Sequence, residues 1–185
     1  RHDVPFTQDG HRDGSIAYAH DLGLTGPFAL FSHSVDLTAG DIAALQESGT
    51  AIVHNPSAIM SILGRCPVPE LIDAGVCVAL GSDAAAPDRG YDMFRHMAQC
   101  MHYHRRHFAD PSVLPPGKVL EMATIDAAVA IFKRQQHGQI VAISSVAAAR
   151  GLPGAGSYSA SKAAIAVYAD AARAELHGSG IKVTT

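Results

Sequence analysis

Three uniformly apolar runs, FALF at 28–31, AIV at 51–53 and VCVAL at 76–80, constrain the fold of this chain more than any other feature of its sequence. None alternates apolar with polar residues, so as strands they need cover on both faces, as in a parallel sheet. Helical segments stand beside them. SIAYAHDLGL is a short helix stopped by Gly23; LTAGDIAALQESG is a helix that Thr38 or Asp41 caps and Gly49 closes; PVPELIDAG is a third. Strands alternating with capped helices predict an α/β chain of parallel βα units. Ligands gather at the C-terminal strand ends of such sheets, and in a (β/α)8 barrel that edge is the catalytic face. The first strand is predicted to end at His33, the second at His54 and the third at Asp83. Three residues of metal-competent type at three successive strand ends point to one site rather than to three unrelated turns.

Composition narrows the partners. With 185 residues, 48% of them hydrophobic, there is apolar material for one buried core or two small ones. A formal net charge of -3 gives no basic surface for nucleic acid or for an anionic membrane, which leaves a small-molecule substrate. Cys66, Cys77 and Cys100 lack CxxC spacing, and neither a charged-then-apolar leader nor an apolar run of membrane length is seen, so the chain reads as cytoplasmic and reduced. Eleven histidines are the one compositional excess. His102, His104 and His107 in MHYHRRHF sit among arginines at mixed helical spacing and read as a solvated basic helix face without a role. Residues 1–15 carry Gly and Pro breakers without a period and read as loop.

SHSVDLT, IVHNPSAIMSILGRCPVPEL, AGVCVALGSDAAAPDRGYDMFRHM and KVLEMATIDAA together resemble the C-terminal barrel strands of metal-dependent amidohydrolases, in the chlorohydrolase and aminohydrolase branch that acts on triazine- or purine-like rings. The resemblance covers about residues 15–128. It implies a divalent metal (zinc, iron or manganese) whose bound water attacks a ring carbon while an amine or chloride leaves. It also implies that Asp83 binds that metal and accepts the water's proton, that His33 polarises the substrate or stabilises the leaving group, and that His54 lines the pocket. Two departures stand beside it. The HxH pair of a first barrel strand and the ligand histidine of a middle strand have no counterpart here, and one carboxylate falls short of the roughly three protein ligands that a hydrolytic zinc uses. His2 and His11 lie in a polar segment with no predicted strand before either, and three of a barrel's eight strands are visible.

Beyond Phe132 the sequence changes character. GQIVAISS reads as a strand over 138–145, followed by the glycine-rich GLPGAG, an alanine-rich helix from about Tyr158 to His177, and the start of another strand. Ser145, Tyr158 and Lys162 are separated by thirteen and then four positions, which puts the last two on one helix face. A lysine ammonium one turn from a phenol favours the phenolate and makes the tyrosine a usable acid or base, and a serine hydroxyl from the neighbouring strand can hold a substrate oxygen. The IVAISS strand, the GLPG loop and the YSASKAA helix resemble the short-chain dehydrogenase/reductase family over about residues 132–185. That resemblance implies NAD(P) as cofactor, Ser145, Tyr158 and Lys162 as catalytic residues, and Tyr158 and Lys162 as its cofactor contacts, with the lysine on the nicotinamide ribose. The family's N-terminal Gly-rich dinucleotide turn, its ribose-selecting residue and its catalytic asparagine are not found in this sequence.

The expected organisation is a partial amidohydrolase-like barrel segment over 1–128, a seam at 129–132 within AAVAIF (127–132), which satisfies both helix patterns, and a partial dehydrogenase-like, Rossmann-like segment over 133–185. The expected function is that of a chimera of two enzyme fragments: hydrolytic deamination or dechlorination of a heteroaromatic ring in the first, neither part competent alone, and neither metal nor NAD(P) well bound. One alternative is an NAD(P)-dependent oxidoreductase module using Ser145, Tyr158 and Lys162. The other is a non-catalytic or artefactual fusion that self-associates or aggregates through open sheet edges.

Overall fold

The computed structural model describes residues 6–11, 14–60, 63–83 and 90–185. The chain divides into two compact units, residues 1–130 and 131–185.

In the first unit β1 (Phe6–Gly10), β2 (Ala29–His33), β3 (Ala51–His54) and β4 (Val78–Leu80) form one sheet in the order β1-β2-β3-β4, every neighbouring pair parallel. Each strand lies beside its predecessor in sequence. That singly wound order belongs to consecutive barrel strands and not to a doubly wound sheet, whose order reverses at a switch point. The connecting helices are α1 (Ser15–Asp21), α2 (Ala39–Ser48), α3 (Pro56–Ile59) and α4 (Val68–Asp73); α5 (Met93–Phe108) and α6 (Pro116–Ala123) follow β4. Phe31, Leu45, Ile52, Val68, Leu71, Val78, Val119 and Met122 make the core between sheet and helices. The apolar runs are strands because both their faces are covered, as their lack of alternation requires.

Thr38 and Asp41 share the start of α2. Thr38 is the N-cap, its hydroxyl accepting from the Asp41 amide at 3.2 Å, while the Asp41 carboxylate accepts from the Thr38 amide at 2.8 Å, a capping box. The second carboxylate oxygen of Asp41 accepts from the Ile16 and Ala17 amides, each at 2.9 Å. Gly14, which opens α1, has no side chain to do this, so Asp41 caps two helices from one buried position.

The structure corrects the sequence reading at several points. Part of the polar segment read as loop is β1, which pairs with β2 from Phe6↔Ala29 to Gly10↔His33. It was hidden because Thr7, Gln8 and Asp9 are exposed and leave no apolar pattern. His11 therefore follows a strand directly, whereas His2 lies outside the described residues. β4 stops at Leu80, and Asp83 sits three positions beyond it with φ 58°. In α5, His102 and His107 are exposed, but His104 is 0% exposed, so that helix is not solvated on every face.

α7 (Ile125–Gln135) carries the chain from the first unit into the second. There β5 (Gly138–Val141) and β6 (Ile181–Thr184) form a separate two-stranded parallel sheet, with the long helix α9 (Gly156–Glu175) between them in sequence. Ala169 and Ala172 bury one side of α9, and Arg173 Nε donates to the Val183 carbonyl at 2.9 Å. The strand predicted over 138–145 ends at Val141; residues 146–149 form a single turn, α8 (Val146–Ala149), because the Ser145 hydroxyl accepts from the Ala147 amide at 3.1 Å and starts a helix there. Among the described residues no helix is long and apolar enough to cross a membrane.

Candidate functional site

The C-terminal edge of the four-stranded sheet assembles around His33. Its backbone leaves β2 with φ 66° and Ser34 follows at φ 56°, a left-handed turn that non-glycine residues adopt seldom and histidine more readily than most. His33 Nε2 lies 3.7 Å from the Asp9 carboxylate at the end of β1 and 3.8 Å from that of Asp83 beyond β4. On the other side of the ring, Asn55 Nδ2 stands 3.3 Å from His33 Nδ1 and donates to the Ser32 hydroxyl at 3.0 Å. An amide nitrogen has only protons to offer, so Nδ1 is the acceptor and the neutral ring carries its proton on Nε2, toward the two carboxylates. The His11 ring lies 6.1 Å from that of His33, centroid to centroid. Four consecutive strands thus contribute to one polar cluster, with His33 in the middle.

Gly81 keeps this arrangement in place. Its amide donates to the His54 carbonyl at 2.9 Å, and a Cβ at this position would fall onto the Asn55 side-chain oxygen and 2.8 Å from Val53 Cγ1. Gly81→Ala is therefore expected to push Asn55 off His33 and to destabilise the unit by about 1–3 kcal/mol. A thermal melt checks it; a midpoint equal to that of the parent protein would sink the idea.

His54, at the end of β3, faces elsewhere. It is 0% exposed, and neither of its ring nitrogens has a hydrogen-bond partner. Burial pushes its pKa down to about 3, with the charges of His104 and His33 adding to the effect. It stands 5.8 Å from the His104 ring of α5 rather than in the His33 cluster.

The amidohydrolase reading requires a divalent ion near Asp83, and the residues around it supply part of a ligand set. Asp9, His33 and Asp83 offer three donors, but both carboxylates stand at ion-pair distance from the same imidazole nitrogen, against metal–ligand bonds of about 2.0–2.2 Å. Among the described residues, the group of side chains whose donor atoms lie mutually within 4.8 Å is a different one, His54 with Cys100 and His104. The His33 cluster therefore does not complete a hydrolytic metal centre.

In the second unit, Tyr158 and Lys162 share a face of α9 as their spacing requires. Lys162 Nζ lies 5.7 Å from the centroid of the Tyr158 ring, within cation–π range, and donates to the Ile143 carbonyl at 2.8 Å. The Ser144 hydroxyl donates to the Lys162 carbonyl at 3.2 Å, and Ser145 caps α8. The structure brings the lysine to the end of β5 and over the tyrosine ring, while the Ser145 hydroxyl is engaged with its own helix.

The spacing His96, Cys100, His104 along α5 was the signal missed in the sequence. Positions four apart share one helix face, and all three are buried.

Known proteins resemble both halves. The short chain dehydrogenase model matches residues 121–185. Curated relatives include a 5-methylthioadenosine/S-adenosylhomocysteine deaminase from Nitratidesulfovibrio vulgaris, 38% identical over 117 residues, covering 63% of this chain and 27% of the relative. A 5'-deoxyadenosine deaminase from Methanosarcina mazei is 36% identical, covering 63% of this chain and 27% of its own length. The chain thus spans less than a third of the curated relatives it matches. Among solved structures, an adenosine deaminase from Xanthomonas campestris with bound zinc is similar at a TM-score of 0.62 and 25% identity, over 69% of this chain and 32% of that one. Atrazine chlorohydrolase from Arthrobacter aurescens complexed with zinc shares the fold at a TM-score of 0.58 and 23% identity, over 72% of this chain and 33% of that one. The amidohydrolase family model matches residues 6–144, and through that stretch, which includes the whole four-stranded sheet and the His33 cluster, the chain belongs to the amidohydrolase family.

Proposed function

We propose that the first unit carries the substrate-side half of a hydrolase for amino- or chloro-substituted heteroaromatic rings, and that the chain alone does not complete the reaction. The carrying observation is His33 Nε2 held between the Asp9 and Asp83 carboxylates, with Asn55 fixing the other side of the ring. Deamination or dechlorination of such a ring needs a proton taken from the attacking water and a proton given to the ring or its leaving group. Asp83 is the acceptor in this reading and the Nε2 proton of His33 the donor. The resemblance to deaminases of adenine nucleosides and to a triazine chlorohydrolase supports this chemical class. With His33 as the proton donor, the carboxylates of Asp9 and Asp83 are left beside it, and a hydrolytic zinc uses about three protein ligands.

The proposed domain limits follow the sequence: an amidohydrolase-like segment over 1–128, a seam at 129–132 and a dehydrogenase-like segment over 133–185. Support for a fusion comes from two family models that match the two ends and overlap at 121–144. For the second segment, Lys162 above the Tyr158 ring favours an acid–base pair descended from a NAD(P)-dependent oxidoreductase, with Ser145 as the third member.

The test is turnover by the purified chain supplied with zinc or manganese. Ammonia release from methylthioadenosine and from 5'-deoxyadenosine, and chloride release from atrazine, are expected to equal the protein-free blank. Steady turnover that Asp83→Asn abolishes would overturn the reading of a half-site. NADPH fluorescence is expected to stay unchanged on mixing, and a saturable shift lost in Lys162→Ala would favour the oxidoreductase instead.

A further inference from the structure

The described residues hold a second, wholly buried constellation that the proposed hydrolytic chemistry does not use. Cys100 and His104 lie one turn apart on the inner face of α5, and His54 meets them from the end of β3. All three are 0% exposed, and their ligand-type atoms lie within 4.8 Å of one another. Both ring nitrogens of His54 and both of His104 lack any hydrogen-bond partner. Two buried imidazoles beside a thiol, with all four ring nitrogens lacking a hydrogen-bond partner, are unusual, since buried polar atoms are nearly always paired. A bound ion would supply the missing partner.

We propose that His54, Cys100 and His104 form a binding site for a single soft monovalent cation, the cuprous ion, separate from the His33 cluster.

Three features favour this ion class. A thiolate with two imidazoles is a ligand set for Cu(I) or zinc, not for magnesium or calcium. With metal–sulfur and metal–nitrogen bonds of about 2.3 and 2.0 Å, ligand atoms in a trigonal plane stand roughly 3.5–3.8 Å apart, so the present spacing closes by small side-chain rotations. Charge then decides between the two metals. A monovalent ion with one thiolate and two neutral imidazoles is neutral overall, whereas a divalent ion leaves an uncompensated positive charge in the core and lacks a fourth donor from the cluster. Burial already holds both imidazoles in the neutral, ligating form, at about 3 for His54 and about 4 for His104. The same burial pushes the Cys100 thiol up to about 12, and a cation at the sulfur reverses that preference. Binding is therefore an exchange: Cys100 loses its S–H proton to solvent, a sulfur–copper bond forms, and no electron changes hands.

The experiment is an anaerobic titration of the whole chain with Cu(I) against a chromophoric cuprous chelator, with X-ray absorption on the loaded protein. One equivalent is expected to leave the chelator, with one sulfur and two nitrogen neighbours at the copper and one proton released per ion. Cys100→Ala is expected to lose the tight equivalent, whereas Asp83→Asn and Cys77→Ala keep it, which separates this site from the hydrolytic one and from the half-exposed thiol. Circular dichroism verifies the fold of each variant, and His104→Gln replaces Cys100→Ala if the latter does not fold. A copper with two or more sulfur neighbours, an equivalent retained by a folded Cys100→Ala protein, or zinc displacing Cu(I) at equal concentration would overturn the proposal.

Discussion

Acidifying the metal-free protein from pH 7.5 to pH 5 is expected to remove about 4 kcal/mol of folding stability through two buried imidazoles. Burial holds His54 at about 3 and His104 at about 4, against 6.5 for an imidazole in the unfolded chain. Between those values and 6.5 the unfolded state takes up protons that the folded state refuses. The sign follows: this contribution is intact above about pH 6.5 and is lost as the pH falls. Each imidazole removes about 1.4 kcal/mol per pH unit, and two of them over about 1.5 units give the stated loss. Native proteins have only about 5–15 kcal/mol to lose, so acid unfolding is expected near pH 5 and below. Denaturant titrations at pH 7.5, 6.5, 5.5 and 5 measure it, and His104→Gln should flatten the slope by nearly half. A midpoint that stays constant or rises on acidification contradicts the burial of these rings.

Asp41→Ala is expected to cost about 4 kcal/mol, as much as a large core deletion. The carboxylate is 0% exposed and accepts from Ile16, Ala17 and the Thr38 amide, and from the Thr38 hydroxyl at 2.7 Å. Hydrogen bonds to a charged group contribute roughly 1.5–3 kcal/mol each and do not add in full. Alanine leaves the Ile16 and Ala17 amides of α1 and the Thr38 amide at the start of α2 without their acceptor. Asp41→Asn keeps one oxygen and is expected to lose about half as much. Equilibrium unfolding decides it, and a loss below about 0.5 kcal/mol for Asp41→Ala would show that water or backbone replaces the carboxylate.

Much of the first unit was legible because its strands and caps are local signals. FALF, AIV and the VAL of VCVAL became β2, β3 and β4, and Gly49 closes α2 with φ 68°. Thr38 and Asp41 were alternatives in the sequence, and the structure uses both, since only tertiary contact reveals the carboxylate's second pair of partners on α1. β1 was illegible for a physical reason: a strand whose exposed residues are Thr7, Gln8 and Asp9 has no hydrophobic period, and its existence depends on the hydrogen bonds that β2 offers. The site shows the same division. His33 was visible as a strand-end residue, and Asp83 was read as one although β4 stops three positions before it; Asp9 and Asn55, which flank the two sides of the His33 ring, needed the register of four strands. His104 was misjudged because arginines surround it in sequence while only its own helix face is turned inward. Ser145, Tyr158 and Lys162 were read from the strand, its serine pair and the YSASK helix together, and the structure puts Lys162 over the Tyr158 ring; the attachment of Lys162 to the Ile143 carbonyl was not legible, because a carbonyl's free lone pair leaves no mark in a sequence.

The small parallel sheet of the second unit has a dynamic consequence. Two strands leave both outer edges unpaired, and an isolated pair of strands is marginal without a third neighbour or a well-covered face. Val141, Ile143 and Val146 are 61%, 76% and 83% exposed, so little apolar burial holds that end closed. Backbone amides of β5 and β6 should then exchange with solvent deuterium through a local opening that leaves β2, β3 and β4 protected. The molecule would behave as two foldons of unequal depth, the shallow one yielding first to heat, denaturant or protease.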